Sequence, residues 1–189
     1  MKLKFLFITL LAAAVSHAAF ADDATAFELI KRGDKYVGDQ SKDKVVQIRS
    51  EKSVGSLTPN IWYVVYYDPD ATFKSVEVKF GAGEKMDVSH PWRLLEMADD
   101  SHTILDKDKL KIDSDKAIKI ATAQPLLENL TIKASKLKLG HGDNGPEWHV
   151  ELWAAKLKNP SDDADIGAVV ISAADGSVIK VDLHPNSAD

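Results

Sequence analysis

The sequence predicts an α+β protein made of two tandem copies of one unit. Three observations lead there. The composition is 44% hydrophobic and 28% charged over 189 residues, which is globular and long enough for one ordinary domain or two small ones. Two alternating segments, 60–67 and 146–153, each carry a tryptophan near their start, Trp62 and Trp148. Around each tryptophan runs the same order of signals: a helix-like stretch, a strand, the tryptophan strand, then two strands joined by a turn.

The leader comes first along the chain. Lys2 and Lys4 precede an apolar run from Phe5 to Val15 broken only by Thr9, and Ala19-Phe20-Ala21 offers a small-residue cleavage site before Asp22. That pattern reads as a cleavable secretory signal, and the run is too short for a bilayer, which needs about 20 apolar residues. Cleavage is expected after Ala21, leaving a mature chain that is periplasmic or secreted. The short, alanine-rich leader points to a bacterium. No other stretch approaches transmembrane length, so no stable membrane insertion is expected after cleavage.

The first unit is expected over 22–90. Thr25 suits a helix cap, and Phe27, Ile30, Tyr36 and Val37 form the apolar side of the helix it opens, with Gly33 as a weak point inside it. A strand follows over 45–50. In the tryptophan strand Trp62, Val64 and Tyr66 share a face, because successive strand residues point to opposite sides. Val76, Val78 and Phe80, then Met86 and Val88, form a strand pair around Gly83. Residues 91–113 read as a connector: Trp92, Leu94, Leu95 and Met97 suggest a short helix after Pro91, and 106–109 is a charged run.

The second unit is expected over 114–189. Ser114 suits a helix cap, with Ala117, Ile118 and Ala121 on one side and Pro125 at the end. A strand over 131–139 leads to the second tryptophan strand, whose core face carries Trp148, Val150, Leu152 and Ala154. A longer acidic loop, 156–166, precedes the last strand pair, which turns at Asp175-Gly176. Each unit therefore predicts one helix lying across an antiparallel sheet of about four strands.

Charge and missing motifs exclude several functions. There are 24 basic residues against 29 acidic ones, a net charge of −5 that becomes −7 once Lys2 and Lys4 leave with the leader. Such a chain has no basic surplus for gripping a nucleic acid backbone, and its field would steer it toward a basic partner. With no cysteine there is no disulfide scaffold, thiolate metal site or cysteine nucleophile. Hydrolase, zincin, phosphate-loop and dinucleotide-binding motifs are missing, so neither an enzyme nor a cofactor is expected.

The second unit resembles a PepSY-type domain. The residues that carry the likeness are Trp148-His149-Val150-Glu151-Leu152, the strand Ala168-Val169-Val170-Ile171, and the turn Asp175-Gly176-Ser177-Val178. The first unit looks like a more diverged copy that keeps Trp62 and Gly83. The resemblance implies tandem PepSY-like units of cystatin-like fold, a module of bacterial envelope proteins and peptidase propeptides that binds or inhibits and does not catalyse. It thus implies an envelope protein or peptide as partner.

Two sets of candidate site residues follow from the strand pattern. Tyr63, Val65 and Tyr67 stand opposite the core face of the first tryptophan strand, and His149, Glu151 and Trp153 occupy the matching places in the second. Aromatic residues on an outward row pack either between the units or against a partner. Tyr63, Tyr67, Trp153, Asp162 and Asp163 are the expected partner contacts. Separately, His141, Asp143 and His149 have the residue types of a zinc site. They define the alternative function, a small-ligand or metal-binding envelope sensor; a hydrolase with an unrecognised site stands behind both.

Overall fold

The computed structural model describes residues 24–90 and 104–189. The leader and the expected helix after Pro91 lie outside these residues. Helix α1 (Ala26–Gly33) leads into β1 (Val45–Ser50), β2 (Ile61–Tyr67), β3 (Ser75–Gly81) and β4 (Glu84–Ser89). Helix α2 (Ser114–Thr122) leads into β5 (Ile132–Gly142), β6 (Gly145–Ala155), β7 (Asp163–Ser172) and β8 (Val178–Leu183). The order of elements thus repeats. The strands form one eight-stranded antiparallel sheet, in the order β4-β3-β2-β1-β5-β6-β7-β8. Where a separate sheet of about four strands was expected for each unit, the two halves merge along β1 and β5.

The merger is short in backbone terms. Only Ile48↔Leu139 and Arg49↔Lys138 pair across it as strand partners. Beyond them, buried serines continue the seam. Leu137 N–H donates to Ser50 Oγ at 2.9 Å, and Ser135 N–H donates to Ser53 Oγ at 2.9 Å. Ser53 N–H returns a bond to the Ser135 carbonyl at 2.8 Å. A serine hydroxyl can accept from a backbone N–H that has no carbonyl partner on the neighbouring strand.

Alternation decides which residues enter the core. Trp62, Val64 and Tyr66 of β2, Ile48 of β1, Leu137 and Leu139 of β5, and Trp148, Val150 and Leu152 of β6 are all buried. Both helices lie on this one side. Ala26, Leu29 and Ile30 of α1, and Ala117, Ile118 and Ala121 of α2, belong to the same apolar cluster. Phe27 stacks on Trp148 with ring centroids 6.4 Å apart, so α1 reaches across to the second half.

Thr25 caps α1 as the sequence suggests, but α2 begins differently. Asp113, not Ser114, is the cap of α2, its carboxylate accepting from Ser114 N–H at 2.7 Å. Both residues also serve α1: Ser114 Oγ accepts from Ala26 N–H and Asp113 Oδ1 accepts from Phe27 N–H, each at 3.1 Å. The two N-termini therefore meet at one carboxylate, which suits their shared positive end. Asp113→Ala should lower stability by about 1–2 kcal/mol, read from urea unfolding, with Asp113→Asn recovering much of it. A change within about 0.5 kcal/mol for Asp113→Ala would show that the shared cap carries no weight.

Helix α1 also ends sooner than its apolar pattern suggests. It stops at Gly33, so Tyr36 and Val37 lie beyond it. The buried Tyr66 hydroxyl donates to the Ile30 carbonyl at 2.9 Å, and burial raises its pKa well above that of a free phenol. A Cβ at position 33 would lie 2.2 Å from that hydroxyl, so only glycine fits there. In the β3–β4 hairpin Ala82 and Gly83 both have positive φ, 48° and 79°, the mirror-image turn that matches strand twist. Residues 104–113, the described part of the connector, touch both halves. Leu105 N–H bonds the Val45 carbonyl at 2.8 Å, and Ile112 N–H bonds the Ala173 carbonyl at 2.9 Å.

Candidate functional site

With both helices on one side, no described helix or strand packs across the other side of the sheet. Tyr63, Tyr67 and Trp153 all lie on this open face and are half-buried, while Val65 between the tyrosines and its neighbours Ser75 and Glu77 on β3 are buried, at 4%, 4% and 6% exposure. The halves join edge to edge, so the aromatic rows are not sandwiched between two sheets. The Tyr63 and Trp153 rings are held by their neighbours. The Arg49 guanidinium lies 4.0 Å above the Tyr63 ring and Lys79 Nζ 5.2 Å from it, and the Tyr63 hydroxyl donates to Glu51 at 2.7 Å. Such cation–π pairs hold the aromatic side chain in place at modest energy, about 0.5–1 kcal/mol each at exposed sites.

Trp153 sits at the junction of the halves. Lys52, just past β1, places its Nζ 4.8 Å from the Trp153 ring and 2.7 Å from Asp163 Oδ1. Asp163 is the first residue of β7 and pairs with Ala155, so the expected loop over 156–166 is in fact only 156–162. Asp162 remains in that loop, exposed, and accepts from Asn159 at 2.9 Å. Beside Asp163 a cleft of about 480 Å³ opens between the loop after β1 and the start of β5, lined by Lys52, Val54, Leu57, Ile132 and Lys133 among others.

The metal-type residues are not assembled. The expected 141–145 loop is a two-residue turn, Asp143-Asn144, because Gly142 pairs with Gly145 at the tip of the β5–β6 hairpin. His141 shares its side of β5 with Leu139, whereas His149 pairs with Lys138 on the open face. The two imidazoles therefore point to opposite sides of the sheet. His149 Nε2 lies 3.2 Å from Glu147 instead. Among the described residues no three histidines, aspartates or glutamates come together in a metal-ligating group.

Register reveals a feature that single-strand patterns do not show. Across the open face Lys79 pairs with Tyr63, Tyr63 with Arg49, Arg49 with Lys138, Lys138 with His149, His149 with Val170, and Val170 with Lys180. These residues form one transverse row from β3 to β8. Carboxylates flank it: Glu77 lies 2.9 Å from Arg49, and Asp182 lies 3.0 Å from Lys180. In the adjoining row Lys136 and Glu151 pair at 3.1 Å. The arrangement offers binding chemistry, with rigid aromatic surface, paired charges and a basic stripe.

No helix among the described residues is long and apolar enough to cross a membrane. No family model matches the chain, and comparison with curated proteins and with solved structures finds no match.

Proposed function

We propose that this chain is an exported, non-catalytic binding protein of a bacterial envelope that recognises another envelope protein or peptide through its open sheet face. The observation that carries the reading is the placement of Tyr63, Tyr67 and Trp153 on a face that no described helix or strand covers. Tyrosine and tryptophan bury large rigid surface at low entropic cost, which is why they anchor interfaces. The repeated order of one helix and four strands supports tandem PepSY-like units of cystatin-like form, joined at β1 and β5. That resemblance makes a peptidase the first partner class to test. The leader read at residues 1–21 supports a periplasmic or secreted location.

The test is a crosslinking pull-down from envelope extract with two baits, the parent protein and Tyr63→Ala/Trp153→Ala. Circular dichroism first confirms that the variant is folded. A partner recovered by the parent and reduced at least about tenfold by the variant is the expected result, since two interface anchors each contribute about 1–2 kcal/mol or more. Equal recovery by both baits would sink the aromatic-face reading. The small-ligand alternative draws its support from the cleft beside Asp163 and no longer from the histidines, and zinc or calcium producing a thermal shift would revive the metal form of it.

A further inference from the structure

We infer that the transverse basic row on the open face binds an extended acidic polypeptide segment lying across the strands. This deepens the proposed function, because it assigns the chemistry of the partner at that face. The row runs Lys79, Tyr63, Arg49, Lys138, His149, Val170, Lys180, each residue the direct cross-strand neighbour of the next. Six strand spacings of about 4.8 Å give it a length of about 29 Å, the span of about nine extended residues.

Folding alone does not explain the row. Like charges placed directly opposite on neighbouring strands oppose pairing, yet Arg49 and Lys138 face each other at the seam where the halves join. Arg49 has a carboxylate beside it in Glu77, but its Nε has no hydrogen-bond partner. Lys180 and His149 have Asp182 and Glu147. Lys138 has no carboxylate within ion-pair distance among the described residues; Lys79 has Asp87 as its cross-strand neighbour on β4, beyond ion-pair distance, and rests against the Tyr63 ring. An acidic ligand would neutralise the two lysines and relieve the Arg49–Lys138 repulsion.

The composition of the row favours a polypeptide over a uniformly charged glycan or nucleic acid. Tyr63 and Val170 interrupt the cations with apolar surface. Alternating side chains of a peptide use such surface, whereas a chain of sulfates or phosphates gains nothing from Val170. Nucleic acid binding also needs a basic surplus over a wider surface than one row supplies.

The experiment is fluorescence anisotropy of a labelled oligoglutamate peptide of about nine residues, with unlabelled dextran sulfate as competitor. Three proteins are compared at low salt: the parent, Lys79→Glu/Lys138→Glu, and the control Lys31→Glu/Lys35→Glu, which makes the same charge change on exposed positions in and just after α1. Circular dichroism establishes that all three are folded. The expected result is saturable binding by the parent that weakens with salt, a loss of about tenfold or more for the row variant, and about twofold or less for the control. Absence of binding, equal loss in both variants, or dextran sulfate displacing the peptide at far lower concentration than oligoglutamate itself would each overturn the inference. A partner captured through Tyr63 and Trp153 but not released by oligoglutamate would leave the open-face reading standing while this one falls.

Discussion

Replacing Ser50 and Ser53 together by alanine should destabilise the protein by about 2–6 kcal/mol, although neither side chain is large. Both serines are only 2% exposed. Their hydroxyl oxygens accept from Leu137 N–H and Ser135 N–H, which have no strand partner at those positions on the β1 side. Alanine leaves two buried donors unsatisfied, and each costs about 1–3 kcal/mol because desolvation is no longer compensated. Ser53 Oγ also donates to the Ser56 carbonyl at 2.7 Å, so the loop after β1 loosens as well. Urea unfolding gives the free energy, and amide exchange at Leu137 and Ser135 locates it. A double variant within about 0.5 kcal/mol of the parent would mean that the seam rests on Ile48, Leu139 and their packing alone.

That seam marks the limit of what could be read from the sequence. Alternation around Trp62 and Trp148 assigned the core faces of β2 and β6, because period-2 patterning is local and burial follows it. The strand over 45–50 and the Asp175-Gly176 turn were legible for the same reason. Pairing between β1 and β5 was not, since they are separated by most of the first unit, the connector and α2. Their patterns state which face each side chain takes but not which strand lies beside it. Gly33 shows a similar limit: the Tyr66 hydroxyl, from a distant strand, occupies the space that a side chain there would need. The acidic stretch Asp163-Ala164-Asp165 read as loop on propensity, yet it pairs in β7, where Lys52 holds Asp163 and Asp165 accepts from Gly167 N–H at 2.8 Å.

The candidate site divides in the same way. Tyr63, Tyr67 and Trp153 stood out because aromatic residues occupied positions that alternation makes outward. The basic row did not stand out. Lys79, Arg49, Lys138 and Lys180 are each ordinary outward residues on their own strands. Only register across seven strands places them side by side. His141 and His149 failed as a pair for the converse reason: closeness in sequence around a hairpin does not place two residues on one side of a sheet.

Trp148→Ala should cost about 3–5 kcal/mol and should weaken the first half as much as the second. The side chain is fully buried, its indole N–H donates to the Ile112 carbonyl at 2.7 Å, and its ring stacks on Phe27 of α1. Removing it therefore empties core volume under both helices and frees the segment that carries Asp113, whose carboxylate caps both of them. Against a typical stability of about 5–15 kcal/mol this is a large fraction. Two measurements separate a joint fold from two independent ones. Unfolding followed by circular dichroism and by tryptophan fluorescence should give coincident single transitions at a lower midpoint. Amide protection should fall together at Ile30 in α1 and at Val150 and Val169 in the second half. If Ile30 keeps its protection while Val150 and Val169 lose theirs, the halves melt separately. The seam, the shared cap and the Phe27–Trp148 stack would then be contacts between two domains, and the open face would no longer act as one rigid surface for a ligand spanning β3 to β8.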